Sequence, residues 1–109
     1  MHASKKTSIM VALSAINGKW KLPIIEELFK ETKRNGELMR SLEGITQRVL
    51  VNNLKELEDD GIINRKSYHE VPPRVEYTLS KKGIELYSSL ISLCEWGKKF
   101  EEEKKSIEF

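Results

Sequence analysis

A single cysteine, Cys94, leaves this 109-residue chain unable to form an internal disulfide, a CxxC redox pair or a thiolate zinc site. Its most apolar stretch, Ile9 to Ile16, is interrupted by Ser14 and falls well short of the roughly 18 residues that a membrane span needs. Neither sign of charge dominates, since 19 Lys plus Arg face 17 Asp plus Glu for a net charge of +2. Attraction to a polyanion must therefore come from local sorting of charge rather than from the sum. The two histidines stand alone, with no ligand at metal spacing, and Ser, His and Asp occur in no nucleophile motif. Neither an enzyme nor a metal or other cofactor is expected.

What is present suits one globular unit spanning residues 1–109, a length that buries about two-thirds of its unfolded surface. Lys5 and Lys6 before the apolar stretch imitate a leader sequence only weakly, because that stretch is amphipathic and runs directly into a second helix. A cytoplasmic location with no membrane partner is expected, and a lone thiol fits a reducing compartment.

Ile9, Ala12, Leu13 and Ile16 recur at helical spacing behind Ser8, a good N-cap, and Asn17-Gly18 ends the run. Trp20, Ile24, Ile25, Leu28 and Phe29 repeat the period, and Pro23 places the helix start near Trp20, where backbone N–H groups have no intrahelical acceptor. Leu38, Met39 and Leu42 form a short third helix ended by Gly44, after a polar connection with room for a very short strand. Thr46 caps a fourth helix whose Leu50, Leu54 and Leu57 march along one side until Asp59-Asp60-Gly61 stops it. The period then becomes two: Val75, Tyr77 and Leu79 alternate with polar residues, and Ile62 to Tyr68 supplies the antiparallel partner. Ser80 caps a last helix to about residue 104, with Lys104-Lys105-Ser106 expected to fray.

The fold class that follows is mainly α with a small β-hairpin, in winged helix-turn-helix order: a recognition helix over about 46–60, a wing over about 62–79 and a long helix over about 81–104. With its leucines facing the core, the fourth helix turns Gln47, Arg48, Val51, Asn52 and Lys55 outward, with capping Thr46 at the edge of this acid-free face. Gln and Asn can pair adenine, Arg can pair guanine, Val51 can touch a thymine methyl, and Lys55 is better placed for phosphate. Glu56, Glu58, Asp59 and Asp60 are expected at the far end, pointing away from a duplex. In the hairpin, Arg65, Lys66, His69 and Arg74 against Glu70 make a basic tip stiffened by Pro72-Pro73. A purely solvated helix face and a hairpin whose prolines merely block edge pairing are the plainer alternatives.

Residues 84–100 place Ile84, Leu86, Tyr87, Leu90, Ile91, Leu93, Cys94, Gly97 and Phe100 over roughly 200° of helix, about twice what one core contact needs. A homodimer is expected, with Ile9, Leu13, Tyr87, Leu90, Ile91, Cys94 and Trp96 at its interface and Cys94 buried and unreactive. The expected partners are this second copy and double-stranded DNA carrying a pseudo-palindromic operator. An apolar effector between the dimer helices and the DNA-binding lobes is a further candidate that no residue pattern identifies. The alternative of another class is a winged-helix module that binds protein through the spare apolar helix and never touches DNA.

Gly18-Lys19-Trp20, Gly44-Ile45, Leu54-Lys55-Glu56-Leu57-Glu58, Asp60-Gly61-Ile62 and above all Val71-Pro72-Pro73-Arg74-Val75-Glu76-Tyr77 make the chain resemble HxlR-type regulators over about residues 8–100. The resemblance implies a dimeric winged-helix transcription factor of MarR-like architecture, with residues 46–58 as recognition helix and the hairpin as wing. Thr7-Ser8 stands where many relatives carry a Cys-Pro pair whose cysteine responds to oxidants, so that mode of sensing does not carry over. Asn35-Gly36 and Pro23 also depart from the family pattern.

Overall fold

The computed structural model describes the backbone of residues 7–107 and the side chains of residues 7–105, so Lys5-Lys6 and the chain ends lie outside the described residues. The elements run α1 (Ser8–Ala15), α2 (Lys21–Lys30), α3 (Asn35–Ser41), α4 (Gln47–Asp59), β1 (Ile63–Tyr68), β2 (Arg74–Leu79) and α5 (Lys81–Ile107). Pro23 sits in the first turn of α2, as its missing N–H requires. Two end assignments change. Thr7 rather than Ser8 caps α1, its hydroxyl accepting from Met10 N at 3.4 Å, which is the three-residue reach of a capping oxygen. At the other end α5 continues through the expected fray to Ile107, with Glu101 and Lys105 paired one turn apart at 3.2 Å.

The core is a layer between α2, α3, α4 and the hairpin, built from Ile24, Ile25, Leu28, Leu38, Leu50, Leu54, Leu57, Ile62, Ile63 and Leu79. The strands pair antiparallel from Ile63 opposite Leu79 to Tyr68 opposite Arg74. The short strand anticipated before α3 is a single bridge: Lys33 N donates to Tyr77 O at 3.1 Å and Tyr77 N to Lys33 O at 2.8 Å. Close by, Glu27 is held below the usual carboxylate range, chiefly by a hydrogen bond from Lys30, with Lys33 adding attraction and partial burial opposing both.

The junction between the hairpin and α5 is tied to the end of α4. Ser80 N donates to Ile62 O at 3.0 Å, Ser80 Oγ lies 2.6 Å from Gly61 O, and the same hydroxyl caps α5 by accepting from Gly83 N at 3.0 Å. This crossing demands a glycine at 83, since a Cβ there would collide with Ile62 O.

Outside this core the chain is extended. Its radius of gyration is 16.8 Å, against about 13 Å for a compact chain of this length. Two elements account for the excess: α1 buries none of its residues, and α5, 27 residues long, spans about 40 Å.

Replacing Gly83 with Ala would ordinarily favour a helix. Here the methyl group meets a backbone carbonyl that is itself bonded to Ser80, so the substitution is expected to destabilise the fold by about 1–3 kcal/mol, read as a lower thermal midpoint.

Candidate nucleic-acid interface

Helix α4 owes its position to three leucines that leave almost nothing exposed: Leu50 and Leu57 at 0% and Leu54 at 2%. Thr46 begins it, its hydroxyl oxygen accepting from Val49 N at 3.2 Å while the O–H proton stays free to donate outward. The preceding turn closes through Ile45 N to Leu42 O at 3.1 Å and reverses at Gly44, whose φ of 90° lies in the region only glycine occupies easily. A short helix, a tight turn and α4 therefore stand in the order and packing of a helix-turn-helix.

With the leucines inward, Gln47, Arg48, Val51, Asn52 and Lys55 are all exposed, and among the described residues none of these side chains hydrogen-bonds or ion-pairs within the chain. Val51 keeps 45% of its surface in water. Asn53 is otherwise engaged, its amide donating to Val49 O at 2.8 Å.

The distribution of acids differs from expectation. Glu58 and Asp59, placed by the sequence reading at a remote end, line a hollow of about 650 Å³ together with Val51, Lys55, Arg65 and Tyr77. The reason is the helical period, since Val51, Lys55 and Glu58 fall at i, i+4 and i+7 on one side. The acid-free surface is thus the first half of α4, and Lys55 sits at its boundary.

Glu56 does different work. Its carboxylate lies 2.8 Å from Lys21 Nζ, and that ammonium also donates to Asn17 Oδ1 at 3.2 Å. Lys21 is 5% exposed, the one buried charged residue among the described residues. It joins the α1–α2 junction to α4. The sequence reading missed it, although Lys21, Ile24, Ile25 and Leu28 share the spacing of one buried stripe.

In the hairpin, side chains alternate between two faces. Arg65 lies on the face shared with Tyr77 and the hollow beside α4, while Lys66, Tyr68, Arg74 and Glu76 occupy the other. Arg65, Lys66 and His69 are exposed. Arg74 is not the free cation that a basic tip requires. It is half-buried, its guanidinium lying over Tyr68 and paired with Glu70 at 2.9 Å and Glu76 at 3.6 Å.

The residues expected at a subunit interface fall into two groups. Tyr87 and Leu90 are half-buried against their own core, and Tyr87 stacks on Phe29 at 4.1 Å. Ile9, Leu13, Ile91, Cys94 and Trp96 are exposed, with Leu93 at 55% and Trp96 at 60%. Cys94, expected to be buried, is open because α2 approaches its side of α5 without closing over it. There a cleft of about 490 Å³ runs between Leu22, Pro23, Tyr87, Ile91, Cys94 and Lys98. Among the described residues no helix is long and apolar enough to cross a membrane.

A family model for the HxlR-like helix-turn-helix matches residues 15–105, which takes in every element from α2 to most of α5. The chain belongs to the HxlR-like helix-turn-helix family. An HTH-type transcriptional regulator of Methanothermobacter thermautotrophicus is 47% identical over 93 residues, 85% of this chain and 71% of the relative. The crystal structure of a MarR-family transcriptional regulator from Enterococcus faecalis superposes with a TM-score of 0.86 at 58% identity, covering 97% of this chain and 96% of that one. The redox regulator HypR in its reduced form gives a TM-score of 0.84 at 38% identity, over 92% and 99% of the two chains. Membership makes this HxlR-like chain a helix-turn-helix transcriptional regulator and not an enzyme, and its winged-helix architecture is the one expected from residue order.

The Lys21–Glu56 pair gives a direct stability test. Glu56→Ala leaves a buried ammonium short of its anion and is expected to cost about 1–3 kcal/mol in urea unfolding. Glu58→Ala, an exposed residue on the same helix, should stay within about 0.5 kcal/mol of the parent.

Proposed function

We propose that this HxlR-like protein regulates transcription as a cytoplasmic homodimer that sets two copies of α4 into successive major grooves of a pseudo-palindromic operator. The observation that carries the reading is the exposed, uncommitted face of Gln47, Arg48, Val51 and Asn52, presented by a helix whose other side is fully buried. Arg48 suits a guanine edge, Gln47 and Asn52 suit adenine, and Val51 supplies the apolar contact a thymine methyl prefers. Thr46 and Lys55 bracket this face and take phosphate oxygens, Lys55 against some repulsion from Glu58. In the wing, Arg65, Lys66 and His69 reach the flanking backbone or minor groove, adding affinity and salt dependence without reading sequence.

Dimerisation rests on surface that one chain cannot cover by itself. Helix α1 exposes Ile9, Met10, Val11 and Leu13, and α5 exposes Ile84, Ile91, Leu93, Trp96 and Phe100. A two-fold interface joining these faces buries them and encloses Cys94 as well. The similar structures of the redox regulator HypR in reduced and oxidised form make thiol sensing the obvious comparison, yet Thr7-Ser8 offers no sulfur at the position where many HxlR-type regulators carry the reactive cysteine.

Operator fragments selected from the source genome with purified protein provide the substrate for two tests. Arg48→Ala is expected to weaken specific binding by about 1–3 kcal/mol and to relax preference at one base position, as read by fluorescence anisotropy. Unchanged affinity and specificity would remove Arg48 from the interface. Leu93→Glu, placed in the middle of the exposed α5 face, is expected to shift sedimentation velocity from dimer to monomer and to abolish tight operator binding. A variant that remains dimeric would mean that α5 does not pair the subunits through this face.

A further inference from the structure

We infer that Arg74 is a positioning residue that shapes the wing and makes no contact with the duplex itself. The inference rests on the reading that the wing docks on DNA, and it gives the Pro-Pro-Arg-Val-Glu-Tyr string a physical purpose. Arg74 and Tyr68 face each other on the last rung of the hairpin ladder, where backbone pairing stops. Beyond that rung the loop of residues 69–73 has little to hold it. Glu70 N donates to Tyr68 O at 2.9 Å, while Pro72 and Pro73 have no N–H to offer.

Side chains take over that task. The Arg74 guanidinium carbon sits 3.9 Å from the centre of the Tyr68 ring, a stacking and cation–π distance. Nη2 is 2.9 Å from a Glu70 oxygen in the loop, and Nη1 is 3.6 Å from a Glu76 oxygen in β2. Nε is buried without a partner. One planar group thus joins the ring, the loop and the strand, a geometry that a guanidinium fork permits and an ammonium does not. Two carboxylates also cancel the charge that a phosphate would seek, and a phosphate drawn to Arg74 would meet both. Arg65, on the opposite face with Tyr77 and free of acids in the hairpin itself, is the cation turned toward α4.

The two roles of Arg74 differ in sign when Glu70 is neutralised. Glu70→Gln makes the wing more positive, so an Arg74 that grips phosphate would be released and the duplex bound more tightly. An Arg74 that holds the loop would lose its tether, and binding would weaken. The experiment measures E70Q, R74K, R74A and the combined R65A, K66A and H69A variant against one selected operator duplex across a series of salt concentrations. It also measures exchange of the residue-70 amide in the free protein, where any DNA effect is absent.

The expected result is that E70Q and R74K each lose about fivefold to tenfold in affinity, the scale of ordering one or two loop residues on docking. R74A should leave the salt slope unchanged. The exchange of the residue-70 amide, whose N–H donates to Tyr68 O, should accelerate in E70Q. Tighter binding by E70Q, a fall of about 0.9 in the salt slope of R74A, or unaltered exchange would each overturn the inference. R65A combined with K66A and H69A, the three exposed wing residues proposed to reach DNA, separates this from the underlying reading: lost affinity and a shallower slope place the wing on DNA, whereas no effect removes the wing from DNA and the inference with it.

Discussion

The orientation of α4 depends on the burial of one stripe. Leu50, Leu54 and Leu57 retain at most 2% of their surface. Truncating any such side chain costs about 2–5 kcal/mol in a close-packed interior, so α4 has no freedom to rotate about its axis. Its outward face is then decided by geometry: Gln47, Arg48, Val51 and Asn52 must point away. No preference of these residues for water or for DNA is required. The same constraint sets the limit of that face, because one helical period that exposes Lys55 also exposes Glu58.

Around the stripe, neighbouring side chains of like charge differ in whether the fold pairs them. Glu56 on α4 goes to Lys21 and Glu58 does not, although both are acids with exposed carboxylates. In the wing, Arg74 goes to Tyr68, Glu70 and Glu76 while Arg65 faces the hollow beside α4. A net charge of +2 therefore says little about which cations are available to a polyanion. Their availability follows from which ones the fold has already paired. The long helix shows the same division. Tyr87 and Leu90 face the chain's own core, and Leu93, Trp96 and Phe100 project from it.

Much of this was legible beforehand. Periodicity located every helix and both strands, because apolar spacing records which side of an element is buried. Thr46, Ser80 and Pro23 marked helix starts for local steric and hydrogen-bonding reasons. What escaped was whatever depends on the partner that a residue meets in space. The Lys21–Glu56 pair joins residues far apart in the chain. Gly83 looks like an indifferent helical glycine until Ile62 O is seen to lie against it. The state of Arg74 depends on carboxylates two and four residues away, which lie alongside it only once the hairpin has formed. Cys94 sits on an apolar arc, and an arc alone does not tell whether its cover comes from the same chain or from another. At the N-terminus, Thr7 and Ser8 are both competent caps, and only the position of Met10 N distinguishes them.

The most direct measurement is interference by methylation of guanine N7, an atom that lies only in the major groove, on an operator bound by the intact protein. A dimer that reads its site with α4 gives two clusters of interference about one helical turn apart and related by the operator's two-fold axis. Interference confined to minor-groove adenine N3, or a single cluster with no symmetric counterpart, would contradict a dimer that reads its site with α4.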